Sequence, residues 1–135
     1  VGLLAFDDLS DVYEAMIDWP KRLANETPFF RRLFDAVQAR SVLDVACGTG
    51  HHAAMFHSWG LRVEGADASP RMIERCRARF GESDRLGFVV RSFDQLAAAP
   101  EPFDAVICVG NSLALAPDAA TAGRAVAAMF GAVRP

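Results

Sequence analysis

The chain predicts an α/β domain, a parallel sheet flanked by helices, and three observations carry the prediction. Short apolar runs at 42–46, 61–66, 86–91 and 103–109 alternate with longer stretches in which apolar residues fall at helical spacing. The first run stops abruptly at Cys47-Gly48-Thr49-Gly50 and a helical pattern comes next, so a strand, a glycine turn and a helix succeed one another. That succession brings a ligand against bare backbone at the carboxyl end of a parallel sheet. Finally, 52% of the 135 residues are hydrophobic, enough for one domain with a real core.

The elements succeed one another from the N-terminus. Residues from about 10 to 38 read as helical, with Leu9, Val12, Tyr13, Met16 and Ile17 at helical spacing and Pro20 and Pro28 punctuating the later part of that stretch. Val42–Ala46 is the first strand, Thr49–Trp59 the first core helix, and Gly60 its stop. Leu61–Ala66 forms the second strand. Ser69 then caps a helix with Pro70 in its first turn, running to about Phe80. Leu86–Arg91 and Phe103–Val109 are the third and fourth strands, and Asp118–Val133 is an Ala-rich helix.

One residue points to the ligand. Asp44 places a carboxylate inside the first strand, just ahead of Gly48 and Gly50. A turn built for pyrophosphate gains nothing from a negative charge there, whereas a turn built for an ammonium or sulfonium group does. An unpaired buried charge is costly, and a cation offsets it. The alternative is a carboxylate that only ties down the loop. Gly48 and Gly50 are free to take positive φ and, lacking Cβ, let a ligand come close.

The segment Val-Leu-Asp-Val-Ala-Cys-Gly-Thr-Gly resembles the first motif of the S-adenosylmethionine-dependent methyltransferases with a Rossmann-like fold. The chain is most similar to the branch containing the glycine and sarcosine N-methyltransferases. Residues 63–72, 88–96 and 103–112 resemble that family's second strand with its ribose-binding acid, its adenine-edge segment and its fourth strand. Asp11 to Glu26 resembles its N-terminal lid. The resemblance implies one S-adenosylmethionine-binding domain over residues 1–135, with a helical lid over 1–38 and the first half of the core over 39–135.

The same resemblance implies roles. Asp44 lies near the methionine end of the cofactor, and Ala46, Gly48 and Gly50 offer it backbone contacts. Asp67 accepts the ribose hydroxyls, Ser69 being already placed to cap the helix. Ala68 and Met72 pack on adenine, though Met72 equally suits a helix core. Ser92 stands where many members carry an acid or amide that reads the adenine amino group, so its single hydroxyl is a departure, and Phe93 would stack on or edge the ring. Val109, Asn111 and Ser112 end the fourth strand, with Asn111 orienting the methyl acceptor and Ser112 near the cofactor; the alternative is an Asn-Ser turn that merely closes the strand. Tyr13, Trp19 and Arg22 fold over the cofactor, the arginine pairing its carboxylate. Arg31 and Arg32 compete for that last role.

Methyl transfer from a sulfonium is an in-line displacement whose reactive power resides in the cofactor, so no nucleophile, metal or triad is required. His51, His52 and His57 have no metal-ligand spacing and no nearby Cys or carboxylate cluster, and no metal is expected. A net charge of −3 argues against a nucleic-acid surface. No apolar run reaches the roughly 18 residues of a spanning helix, and charges break up the first thirty positions, which argues against a signal peptide. Three cysteines at sites that read as buried suit reduced thiols and a cytoplasmic protein. The expected acceptor is therefore a small molecule, with glycine or sarcosine implied by resemblance.

Two alternatives stand beside this reading. Gly48-x-Gly50-x-x-Ala53 also satisfies the loose dinucleotide fingerprint, which would make the protein an NAD(P)-binding oxidoreductase. The family sheet has seven strands, and only four are expected here before Pro135. The chain is then expected to be a fragment, or a non-catalytic subunit that completes its sheet on a partner or on a second copy through an exposed edge.

Overall fold

The computed structural model describes residues 17–92, 102–109, 127 and 129–134. Its elements are α1 (Trp19–Ala36), β1 (Ser41–Val45), α2 (His51–Ser58), β2 (Arg62–Asp67), α3 (Pro70–Phe80), β3 (Leu86–Val90) and β4 (Ala105–Ile107). All strand pairs are parallel, in the order β3-β2-β1-β4, and β1 sits at the centre with Asp44 opposite Gly65 on one side and Ile107 on the other. The chain steps outward from β1 to β2 to β3, then returns to the far side of β1. The carboxyl ends of β1 and β4 therefore form a topological switch point, the crevice where ligands enter sheets of this kind.

The two faces of the sheet have separate cores. Val42, Val63, Phe88 and Ile107 join Phe30 and Phe34 of α1, Phe56 of α2 and Ile73 and Cys76 of α3 in one cluster. Leu43, Val45 and Ala66 turn the other way, toward Phe103, Met129 and Ala132. The period of two along β1 thus sends alternate side chains into different layers, as a strand buried on both faces requires. Phe56 links the first layer, 5.0 Å from both Phe30 and Phe34 with its ring steeply inclined to theirs.

Helix starts obey local chemistry. Ser69 Oγ accepts the Met72 amide at 3.2 Å, and Pro70 occupies the first turn, where no donor is needed. Asp18 caps α1 in the same way through Lys21. Pro28 does not punctuate as the sequence suggested: α1 runs straight through it. The residue lies on the exposed side, and the carbonyl deprived of its partner, that of Ala24, is also on an exposed residue. Water can serve that carbonyl, so the usual cost of an interior proline is softened.

Other boundaries moved by a residue or two. α2 begins at His51 rather than Thr49, and β2 extends to Asp67. β4 is shorter than expected because Phe103 leaves the β1 ladder to bridge Val133, with its amide on the Ala132 carbonyl at 2.9 Å. At its other end the strand stops at Ile107, so Val109 stands two residues beyond it rather than within it. Of the Ala-rich helix, residues 127 and 129–132 are helical, and the rest lies outside the described residues.

β3 lies at a margin of the sheet, and the outward backbone groups of Leu86 and Phe88 are taken. Ser83 exchanges backbone hydrogen bonds with Leu86. Glu82 Oε2 accepts the Phe88 amide at 3.0 Å, and Arg77 Nη2 donates to the Phe88 carbonyl at 2.7 Å. Among the described residues no helix is long and apolar enough to cross a membrane.

Candidate cofactor site

The loop after β1 is left-handed at Ala46 (φ 57°), Gly48 (φ 59°) and Gly50 (φ 85°). Ala46 accepts this conformation despite its Cβ, at a cost of about 1–2 kcal/mol. Gly50 is required twice over. Beyond its φ, a Cβ there would stand 2.9 Å from Cys76 Sγ and 3.1 Å from the Phe88 ring. At Gly48 a Cβ would meet nothing within 4 Å, so the backbone is open to a close approach.

Three contacts hold the loop in place. The Cys47 amide donates to the Ala66 carbonyl at 2.8 Å. The Gly48 amide donates to Asp67 Oδ2 at 2.9 Å, and the Gly48 carbonyl accepts the Cys76 thiol at 3.2 Å. Asp67 Oδ1 accepts the Ser69 amide at 2.9 Å, so one carboxylate ties the loop to the start of α3. Cys47 and Cys76 are both buried and free. Contact with the Cys76 thiol, then burial, pushes the Cys47 thiol well above its ordinary value, so it stays protonated.

Asp44 is different. It is 0% exposed, and neither carboxylate oxygen has a hydrogen-bond partner among the described residues. Burial, and secondarily the charge of Asp67, raises its pKa to about 8. The carboxylate that ties down the loop is thus Asp67, and Asp44 is left as an unmatched acid beneath it. A group that meets it with positive charge and N–H donors would satisfy both oxygens, which is the chemistry of an amino-acid ammonium.

The remaining expected residues divide. Asp44, Ala46, Gly48, Gly50 and Asp67 gather at the carboxyl ends of β1 and β2, with Ala68 half-buried beside Asp67. Ser92 and Val109 are half-buried just past β3 and β4. Met72 is fully enclosed in the core, the alternative that a helix core offered it. Tyr13, Phe93, Asn111 and Ser112 lie outside the described residues.

Trp19 and Arg22 meet at the start of α2. The Trp19 ring stacks on His51 at 4.2 Å, and the Arg22 guanidinium lies 5.1 Å from the Trp19 ring centre. Arg22 Nε donates to Glu26 Oε1 at 2.9 Å, while Arg31 lies over Trp59 instead. Sequence reasoning missed Glu26. Its second oxygen is 2.8 Å from His52 Nε2. The signal was present in the spacing of Trp19, Arg22, Glu26 and Phe30, which places all four along one side of a helix. Among the described residues no group of three or more His, Cys, Asp or Glu could hold a metal.

Residues 42–135, from β1 through the glycine corner onward, match the model of a family described as a methyltransferase domain. The chain belongs to the class I methyltransferase family. The methyltransferase domain is 39% identical over 114 residues to a glycine/sarcosine N-methyltransferase of Parasynechococcus marenigrum, covering 78% of this chain and 38% of that protein. It is 38% identical over 86 residues to the glycine N-methyltransferase of Rattus norvegicus, covering 57% of this chain and 29% of that one. The chain thus spans well under half the length of these curated relatives. Among solved structures it superposes with a TM-score of 0.74 and 30% identity on SAM-bound CalS10, an amino pentose methyltransferase from Micromonospora echinaspora, covering 92% of this chain and 52% of that one. The sugar N-methyltransferase KedS8 from Streptoalloteichus gives 0.69 and 32%, over 81% and 43%. These likenesses give no support to the oxidoreductase alternative, and they bear out the Rossmann-like fold.

Proposed function

We propose that this domain binds S-adenosylmethionine and serves transfer of its methyl group to the amine of a small molecule, glycine or sarcosine being the first candidates. The observation that carries the reading is Asp44, an acid with two unmatched oxygens under an open glycine backbone. The cofactor supplies an activated methyl on a sulfonium, and the protein supplies binding and alignment. Asp44 would pair with the cofactor's ammonium once ionised. The backbone of Ala46, Gly48 and Gly50 would line the approach.

Asp67 would take the ribose hydroxyls, since its carboxylate, held by the Gly48 and Ser69 amides, stands at the carboxyl end of β2 beside the glycine loop. Ser92 and Phe93 would border adenine beside Ala68, with Met72 backing them from the core. Val109 and Ser112 would lie along the cofactor, and Asn111 would orient the acceptor nitrogen. Tyr13, Trp19 and Arg22 would cover the site as an N-terminal lid over 1–38, with 39–135 forming the core. The protein is proposed to work in the cytoplasm, which its free cysteines support. Association of copies is proposed to use the edge of the sheet at β4.

Calorimetric titration with S-adenosylhomocysteine and with NADH tests the cofactor. Binding of the first alone is expected; NADH binding without the other overturns the reading. Methyl transfer from labelled S-adenosylmethionine to glycine, sarcosine and an amino sugar then ranks the acceptors, the sugar being included because CalS10 and KedS8 are sugar enzymes.

A further inference from the structure

We propose that Glu26 and His52 are a positioning pair that registers α1 on the cofactor loop, so that affinity for the cofactor depends on the hydrogen bond between them. The inference rests on the cofactor assignment above and adds residues that neither the motifs nor the relatives' names single out.

His52 is the second residue of α2 and stands two positions after Gly50, so a contact that anchors its side chain acts next to the glycine corner. It is 3% exposed, and its Nε2 lies 2.8 Å from Glu26 Oε2 across the α1–α2 boundary. Glu26 is held in turn by Arg22 on its other oxygen. Trp19 closes the arrangement, stacked on His51 and edge-on to His52 at 5.9 Å. Phe30 and Phe56 pack against the His52 ring from below, at 5.8 and 6.2 Å.

The surroundings set the charge states. Burial lowers the His52 pKa against the opposing pull of Glu26, with Arg22 and His51 also disfavouring its charge. Burial works to raise Glu26, but hydrogen bonds from His52 and Arg22 outweigh it and hold the carboxyl below its ordinary range. At neutral pH the pair is therefore a neutral imidazole whose Nε2–H donates to a carboxylate. Arg79, from α3, touches the neighbouring His51 rather than His52.

The choice of a polar pair at this point is informative. Deeper along the same boundary, α1 and α2 meet through Phe30, Phe34 and Phe56, with only a weak contact from Thr27 Oγ1 to Met55 Sδ at 3.6 Å beside them among the described residues. Apolar packing tolerates sliding, whereas a hydrogen bond from a ring held on both sides fixes one register. The polar pair stands at the end of the boundary nearest the glycines. There a displacement of about 1 Å is enough to cost a factor of roughly a hundred in a positioned reaction.

The test is a double-mutant cycle on the full-length protein, read as the dissociation constant for S-adenosylhomocysteine, with the thermal midpoint of the ligand-free protein measured in parallel. Glu26→Ala and His52→Ala are each expected to weaken binding roughly tenfold, within the range typical of coupling between linked sites, and the double variant no further than the worse single. Glu26→Gln keeps an acceptor for the Nε2–H and is expected to restore binding to within about threefold. If the alanine variants fail to fold, Glu26→Leu and His52→Leu, which fill the space without hydrogen-bonding each other, complete the cycle with the same expected outcome. Lowered midpoints with unchanged dissociation constants, or strictly additive effects on binding, would overturn the proposal. Failure of the wild-type protein to bind S-adenosylhomocysteine would instead sink the cofactor assignment, and this inference with it.

Discussion

Replacing Asp44 by asparagine sets stability against binding and tests the central claim about the site. In the folded chain the acid is buried with no hydrogen-bond partner among the described residues, and its pKa is raised to about 8 from an ordinary value of 3.8. A folded-state pKa raised in this way means the native protein holds a proton that the unfolded chain releases between those two values. The stabilisation from this group is complete below pH 3.8 and is lost progressively as pH climbs toward 8. At about 1.4 kcal/mol per pH unit, the loss by pH 7 is on the order of 4 kcal/mol. Asparagine has nearly the same shape and cannot ionise, so Asp44→Asn should recover much of that amount at pH 7 and almost none at pH 4. Urea unfolding of the ligand-free protein at both values measures the difference. Binding should move the other way. Losing a charge-assisted hydrogen bond, about 1.5–3 kcal/mol, predicts S-adenosylhomocysteine affinity reduced roughly ten- to a hundredfold. A variant that is less stable at pH 7 and binds as well as the parent would refute the reasoning.

The same acid links cofactor affinity to pH. It must ionise to pair with an ammonium, so the wild-type dissociation constant for S-adenosylhomocysteine should tighten as pH rises toward 8 and level off above it, while Asp44→Asn shows a flat profile. Gly50→Ala forces a side chain into a left-handed position and against Cys76 and Phe88; a destabilisation of about 2–5 kcal/mol is expected in denaturant titrations. Asp67→Ala strips the Gly48 and Ser69 amides of their acceptor and should cost about 1–3 kcal/mol by the same assay, with a clear loss of S-adenosylhomocysteine binding. Ser69→Ala removes the cap of α3 and should cost about 1 kcal/mol while leaving ligand affinity within about threefold of the parent.

Much of this was legible in the sequence, because it depends on neighbours along the chain. The strand–turn–helix around Gly48, the cap formed by Ser69 and Pro70, and the parallel pairing implied by strands alternating with helices all arise from local pattern. Asp44 was legible as a misfit, since a carboxylate in a doubly buried strand has few structural uses. What stayed hidden depends on contacts between distant segments. The hold of Asp67 on the Gly48 amide spans nineteen positions, and no spacing rule announces it. The histidines were weighed as metal ligands, and only the fold brings Glu26 to His52. The left-handed Ala46 contradicts its residue type and is imposed by the turn around it. Pro28 misled because its effect depends on whether the orphaned carbonyl faces water.

The seal along β3 has a bearing on how the domain can be joined to anything else. With Ser83, Glu82 and Arg77 already occupying the outward groups of Leu86 and Phe88, a visiting strand would have to displace a guanidinium and a carboxylate to form rungs at these two residues. This part of the margin is therefore costly ground for any strand donor, from the same polypeptide or another.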